Sequence, residues 1–139
     1  MNILTKNSTA VISRKEIPNV ITVILSSDHI IEVKWSEALT EIEKEHLINL
    51  TTIIKELGHG KKMLVYIDTY NFMAITSEAR EYAATKEASQ YTLANAVLVD
   101  SLPKKILFNF YMKINKPVVQ TKGFSSKESA INWLKEWQF

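Results

Sequence analysis

Residues Met63–Thr76 read MLVYIDTYNFMAIT. Met63 to Ile67 is an apolar run with no polar alternation, the pattern of a strand covered on both faces, and such strands belong to the sheets of α/β domains. The run releases Asp68, passes a short polar loop and reaches the expected start of a helix at Thr76. The same logic extends outward. Ala10–Ser13, Val20–Ser26 and Ile30–Trp35 read as strands, the last two joined by the polar turn Ser27-Asp28-His29, so a hairpin opens the fold. Thr40–Glu43 spells a capping box, T-E-I-E, while Leu39, Ile42, Leu47, Leu50, Ile53, Ile54 and Leu57 recur at helical spacing until Gly58 ends the pattern. A second helix is expected from about Thr76 to Ser89, with Ala79, Tyr82 and Ala83 inward. Ala96–Val99 is a strand ending at Asp100, Leu102–Ile114 a helix, and Val118–Thr121 a strand after Pro117. A final helix begins at the capping box Ser125–Glu128 and packs through Ala130, Ile131, Leu134 and Trp137.

The expected fold is therefore a single α/β domain over residues 1–139, with its core at about 18–137. It has a mixed sheet in which N-terminal antiparallel hairpin strands are followed by αβαβαβα. With 139 residues, 46% of them hydrophobic, the chain suits one core and is short for two. No apolar stretch is long enough to cross a bilayer, and the N-terminus is interrupted by Lys6, Asn7 and Ser8, unlike a secretory leader. The absence of cysteine removes thiol nucleophiles, disulfides and thiolate metal sites together, and a cytoplasmic location is expected. A net charge of +2 argues for neither nucleic acid nor an anionic membrane. The charge is unevenly spread. Glu37, Glu41, Glu43 and Glu45 face only Lys44 in their stretch, whereas residues 101–127 carry lysines and no acid.

With the order of elements over about residues 18–137 and LVYIDTYNFMAITSEA at its centre, the chain resembles the STAS superfamily of anti-sigma-factor antagonists and sulfate-transporter domains, especially its SpoIIAA-like branch. That branch in turn resembles the CRAL-TRIO lipid-binding domains in fold. In the antagonists a strand leads to a Phe-Met-Asp-Ser-Ser-Gly turn at a helix start, where a partner kinase phosphorylates the second serine. Here Phe72 and Met73 match that turn, Ala74 replaces its aspartate, Ile75 its first serine, Thr76 its phosphorylated serine and Ser77 its glycine. The resemblance implies a protein-binding function and makes Thr76 a candidate phosphorylation site, at a helix N-terminus where backbone N–H groups favour negative charge. The plain alternative is that Thr76 caps that helix with its hydroxyl.

The carboxyl ends of parallel strands, where ligands gather in such sheets, offer Asp68 and Asp100 as candidate pocket residues. His46 falls on the apolar face of the first helix and joins them as a third candidate. No histidine spacing suggests a metal, no Gly-rich phosphate loop is present, and no nucleophile stands beside a base, so neither a cofactor nor an enzymatic reaction is expected. In the helix at 102–114, Leu102, Ile106, Leu107, Phe110, Tyr111 and Ile114 fill one broad face, while Phe108 and Met112 fall opposite, beside Lys104 and Lys105. Those four residues form the candidate interface, with a homodimer as first choice and a partner groove or interfacial lipid as the others. Two functions follow: a non-enzymatic regulatory protein–protein interaction module with a filled core, or a lipid or small-amphiphile carrier with a lined cavity and lysines at its mouth.

Overall fold

A computed structural model describes residues 9–69 and 74–138. Three antiparallel strands open the chain: β1 (Val11–Ile17), β2 (Ile21–Ser26) and β3 (Ile30–Trp35). Asn19 and His29 take positive φ in the two turns between them. Parallel neighbours then extend the sheet. They are β5 (Met63–Asp68), β7 (Thr92–Leu98) and β8 (Gln120–Phe124), while the short strands β4 (Glu41–Ile42) and β6 (Ala74–Ile75) pair with each other apart from this sheet. The six-stranded order is β1-β2-β3-β5-β7-β8, a mixed α/β sheet with its antiparallel part at one edge, as the sequence pattern predicts. Edge strand β1 is mostly exposed and carries Arg14, Lys15 and Glu16, charges that blunt further pairing.

Helices cover both faces. On one face lies α1 (Lys44–Leu57), where Leu50, Ile53, Ile54 and Leu57 pack on Ile31, Val33, Trp35 and Val65. On the other, α4 (Lys127–Lys135) sets Ala130 and Leu134 against Ile30, Leu64, Tyr66, Ala94 and Ala96. Alternate residues of β5 thus serve opposite layers, which is why its sequence is apolar throughout. The face of α1 also carries α2 (Ser77–Ala83), with Ala79 fully buried, and α3 (Leu102–Phe110), which continues as a π-helical turn over Tyr111–Asn115.

Several boundaries differ from the sequence expectation, each for a physical reason. The T-E-I-E stretch does not open α1, because Glu41–Ile42 is recruited into a parallel pair with Ala74–Ile75, burying Ile42 to 1% exposure. The helix begins after Glu43, whose backbone N–H donates to His46 Nδ1 at 2.9 Å in the reciprocal capping arrangement. The second helix stops at Ala83 rather than Ser89, where hydroxyls turn back on the backbone: Thr85 Oγ1 donates to the Tyr82 carbonyl at 2.6 Å and Ser89 Oγ to the Thr85 carbonyl at 3.0 Å. Strand β7 starts at Thr92, ahead of Ala96. The last strand is Gln120–Phe124 instead of 118–121, since Lys116 is left-handed and the Val118 N–H is tied to the Ala84 carbonyl at 3.1 Å. Ser126, one residue after the expected cap Ser125, caps α4 by accepting from the Ser129 N–H at 3.2 Å.

The His46 cap yields a prediction. His46→Ala removes the acceptor of one helix-end N–H and is expected to lower unfolding free energy by about 0.5–1 kcal/mol in a urea titration, with the fold retained.

Candidate functional site

Strands β5 and β7 end side by side, so Asp68 and Asp100 emerge at the same edge, and the chain turns there into α3. Ser101 Oγ accepts from the Lys104 N–H at 3.4 Å and Pro103 occupies the first turn, where its missing N–H costs nothing. This start aims the Lys104 side chain back over the strand ends, with its ammonium 2.9 Å from Asp100 Oδ1 and 3.8 Å from Asp68 Oδ1 and only 9% of the side chain exposed. The hydrogen bond from Lys104 holds the Asp100 carboxyl below the ordinary aspartate value. The structure therefore joins the candidates Asp68 and Asp100 through Lys104.

A lowered folded-state value means that the stability from Asp100 is present above the unfolded aspartate value of about 3.9 and is lost as pH falls through the folded one. Asp100 is nearly half exposed, so the pair is worth less than about 1 kcal/mol. Asp100→Asn is expected to be slightly destabilised at neutral pH and to match the wild type more closely in acid, as read by denaturant midpoints across pH 2–7.

The other candidates lie apart from this cluster. His46 is committed to its helix cap. Thr76 caps α2, its Oγ1 accepting from the Ala79 N–H at 3.1 Å. The matched residues Phe72 and Met73 lie outside the described residues. Among the described residues no group of three or more His, Asp or Glu side chains could hold a metal.

In α3 the facing of the helix differs from the sequence expectation, although Leu107 and Tyr111 turn inward as expected. Phe108 and Met112 are half-buried, and Phe108 rests on Gly123 of β8, where a Cβ would come within 2.9 Å of its ring. Leu107 and Tyr111 turn inward beside it, and burial pushes the Tyr111 phenol up to about 12. The outward residues are instead Leu102, Ile106, Phe110 and Ile114, which are 69%, 62%, 46% and 58% exposed. Their four-residue spacing makes one continuous apolar stripe, flanked by the exposed Lys105, Lys113 and Lys116. Of the four candidate interface residues, Lys104 is tied down and Lys105 is exposed on the surface. The stripe could have been found in the sequence as the i, i+4 ladder from residue 102 to 114.

Nor is the layer beneath α3 filled, as the interaction reading expects. A cavity of about 450 Å3 opens between α1, α2, α3 and the sheet, floored by Val65, Asn95, Val97 and Thr121 and roofed by Leu107 and Phe108. Arg80 of α2 lines it, with Nη1 donating to the Ile75 carbonyl at 2.6 Å and the guanidinium 5.1 Å from the centre of the Phe110 ring. Sequence reasoning missed Arg80. The available signal was a lone arginine between the inward Ala79 and Ala83 of a helix.

Residues 24–138 match a family described as a domain of unknown function, DUF7793. Among solved structures, the chain is similar to an uncharacterized protein of the DUF3478 family with a SpoIIAA-like fold from Shewanella loihica PV-4. The two share 11% identity and a TM-score of 0.51 over 91% of this chain and 93% of that one. At that identity the likeness speaks for the fold alone, and it supports the SpoIIAA-like resemblance of the sequence. No curated protein matches the chain. No helix among the described residues is long and apolar enough to cross a membrane.

Proposed function

We propose that this chain, which belongs to the DUF7793 family, is a non-enzymatic interaction module that presents the outer face of α3 to a protein partner. The observation that carries the reading is the exposed ladder Leu102, Ile106, Phe110 and Ile114. Isolated apolar residues on a surface need no cover, but four in register along one helix form the anchor pattern of a helix laid in a groove. The lysines beside the ladder and the lack of any acid over residues 101–127 select a partner whose groove is apolar with an acidic rim. They also disfavour pairing of α3 with α3 of a second copy, since that would bring two rows of lysines together. The SpoIIAA-like fold is consistent with protein interaction, and the comparisons add nothing to the carrier alternative.

The test begins with a photo-crosslinking amino acid at Ile106 in one sample and at Glu136 of the α4 end in another. The partner captured from Ile106 is identified by mass spectrometry, purified and titrated with the unmodified chain. Binding that weakens with added salt and fails for Leu102→Ser with Ile106→Ser supports the module. Equal capture from both positions, binding indifferent to the substitutions, a homodimer as the sole product, or sedimentation with anionic vesicles in place of a protein partner would each refute it.

A further inference from the structure

We infer that the cavity beneath α3 is a binding site for an organic carboxylate with an apolar body, and that Arg80 anchors the carboxylate. The site shares only Phe110 with the outer stripe of α3, and Leu102 and Ile106 lie outside it, so either can fail without the other.

Volume and lining set the body of the ligand. About 450 Å3 lies within the range of small-molecule sites, and the walls are mainly side chains such as Leu50, Ile54, Val97, Leu107 and Phe108. An apolar space of this size beneath a helix leaves the lining without partner atoms on one side, a cost that an apolar occupant removes. The roof suits entry, because α3 and its π-helical extension contain no fully buried residue and so sit on the layer without being locked into it.

Charge sets the head group. Among the described residues two cations line the cavity, and they differ in what already neutralises them. Lys104 is held by Asp100 and Asp68. Arg80 has no carboxylate partner among the described residues, and its Nε is buried without a hydrogen bond. Its one side-chain hydrogen bond uses Nη1, on the Ile75 carbonyl. The Nε–H and Nη2–H edge is therefore unused among the described residues, and that edge accepts a carboxylate through two parallel hydrogen bonds. The cation–π contact with Phe110 and the bond to Ile75 hold the guanidinium in place before any ligand arrives. A buried N–H without a partner destabilises the empty state, so a ligand that satisfies it gains affinity from a group that is already desolvated. Asn95, on the cavity floor, adds a carboxamide that orients a second polar atom of the ligand.

The experiment uses the full chain with sodium dodecanoate as probe and 1-dodecanol as its uncharged counterpart, followed by calorimetric titration below the micellar concentration. Saturable one-to-one binding of dodecanoate is expected. Loss of two charge-assisted hydrogen bonds should weaken dodecanol, and dodecanoate on Arg80→Gln, by about 10- to 100-fold. Val97→Phe, which fills the floor, should abolish binding. A measurement on the wild type alone guards against a variant that fails to fold: the Arg80 Nε–H proton resonance should move downfield as dodecanoate is added. Equal affinity for dodecanol and dodecanoate, undiminished binding to Arg80→Gln, an unmoved Nε–H resonance at saturation, or no binding of either probe would overturn the inference.

Discussion

Leu134→Ala is expected to lower the unfolding free energy by about 3 kcal/mol and the melting temperature by roughly 10 °C, the largest stability loss from any single substitution considered. Leu134 has no exposed surface and meets Ile30, Leu64, Tyr66, Ala94 and Ala96, residues of three different strands. The two alanines have no side-chain length with which to follow a shrinking neighbour, and Ala130 on the same helix face has none either. The void therefore stays open, and the cost combines lost transfer energy with an unrelieved cavity. Around it, Trp133 packs with Phe124 and Trp137 at 5.5 and 5.8 Å between ring centres, holding α4 against collapse onto the sheet. Thermal unfolding of the variant beside Leu102→Ala checks this. At 69% exposure, the latter is expected to change stability by less than about 0.5 kcal/mol.

The second large effect is on binding. Leu102→Ser with Ile106→Ser removes the two most exposed rungs of the α3 ladder and is expected to weaken the partner by about 100-fold or more, as central apolar anchors do. The fold should remain, with a stability loss near 1 kcal/mol from the lower helix propensity of serine. Neither residue lines the cavity, and the Arg80 guanidinium lies against Phe110 instead, so the substitutions test the outer face without altering the cavity's cation. Circular dichroism and a binding titration separate the two effects. Unfolding of the pair would show that these side chains hold α3 in place, whereas unchanged affinity would remove the stripe from the interface.

The strands were legible where burial on both faces left a continuous apolar run. MLVYID declares β5, and the hairpin turn at Asp28 and His29 declares the antiparallel edge. The start of α1 was not legible, because T-E-I-E satisfies the local rule for a helix N-terminus. A contact across 33 residues, Glu41 with Ala74, overrides it. Such pairing leaves no local mark on either dipeptide.

Part of the facing of α3 was misread for a related reason. A wheel assigns the larger apolar set to the core, and six residues outvoted Phe108 and Met112. Two distant features decide otherwise. Asp68 and Asp100 draw Lys104 inward at the strand ends, and Gly123 leaves bare backbone where the Phe108 ring lies one turn further on. With Lys104 and Phe108 inward, Leu102, Ile106, Phe110 and Ile114 must face out. The cavity follows from the same constraint, since Leu107, Phe108 and Tyr111 turned inward do not fill the space that the sheet and α1 leave open. The acid pair, the lysine and the glycine were each visible in the sequence, but only the parallel register of β5, β7 and β8 brings them under one helix.

The most direct test of the interaction reading is amide hydrogen exchange over residues 102–116, measured on the isolated chain and on its complex with the partner captured through Ile106. Strong slowing is expected across α3 and its π-helical turn on complex formation, with exchange in α1 and α4 unchanged. Slowing confined to α1 or α4, with α3 exchanging as it does in the free chain, would contradict it.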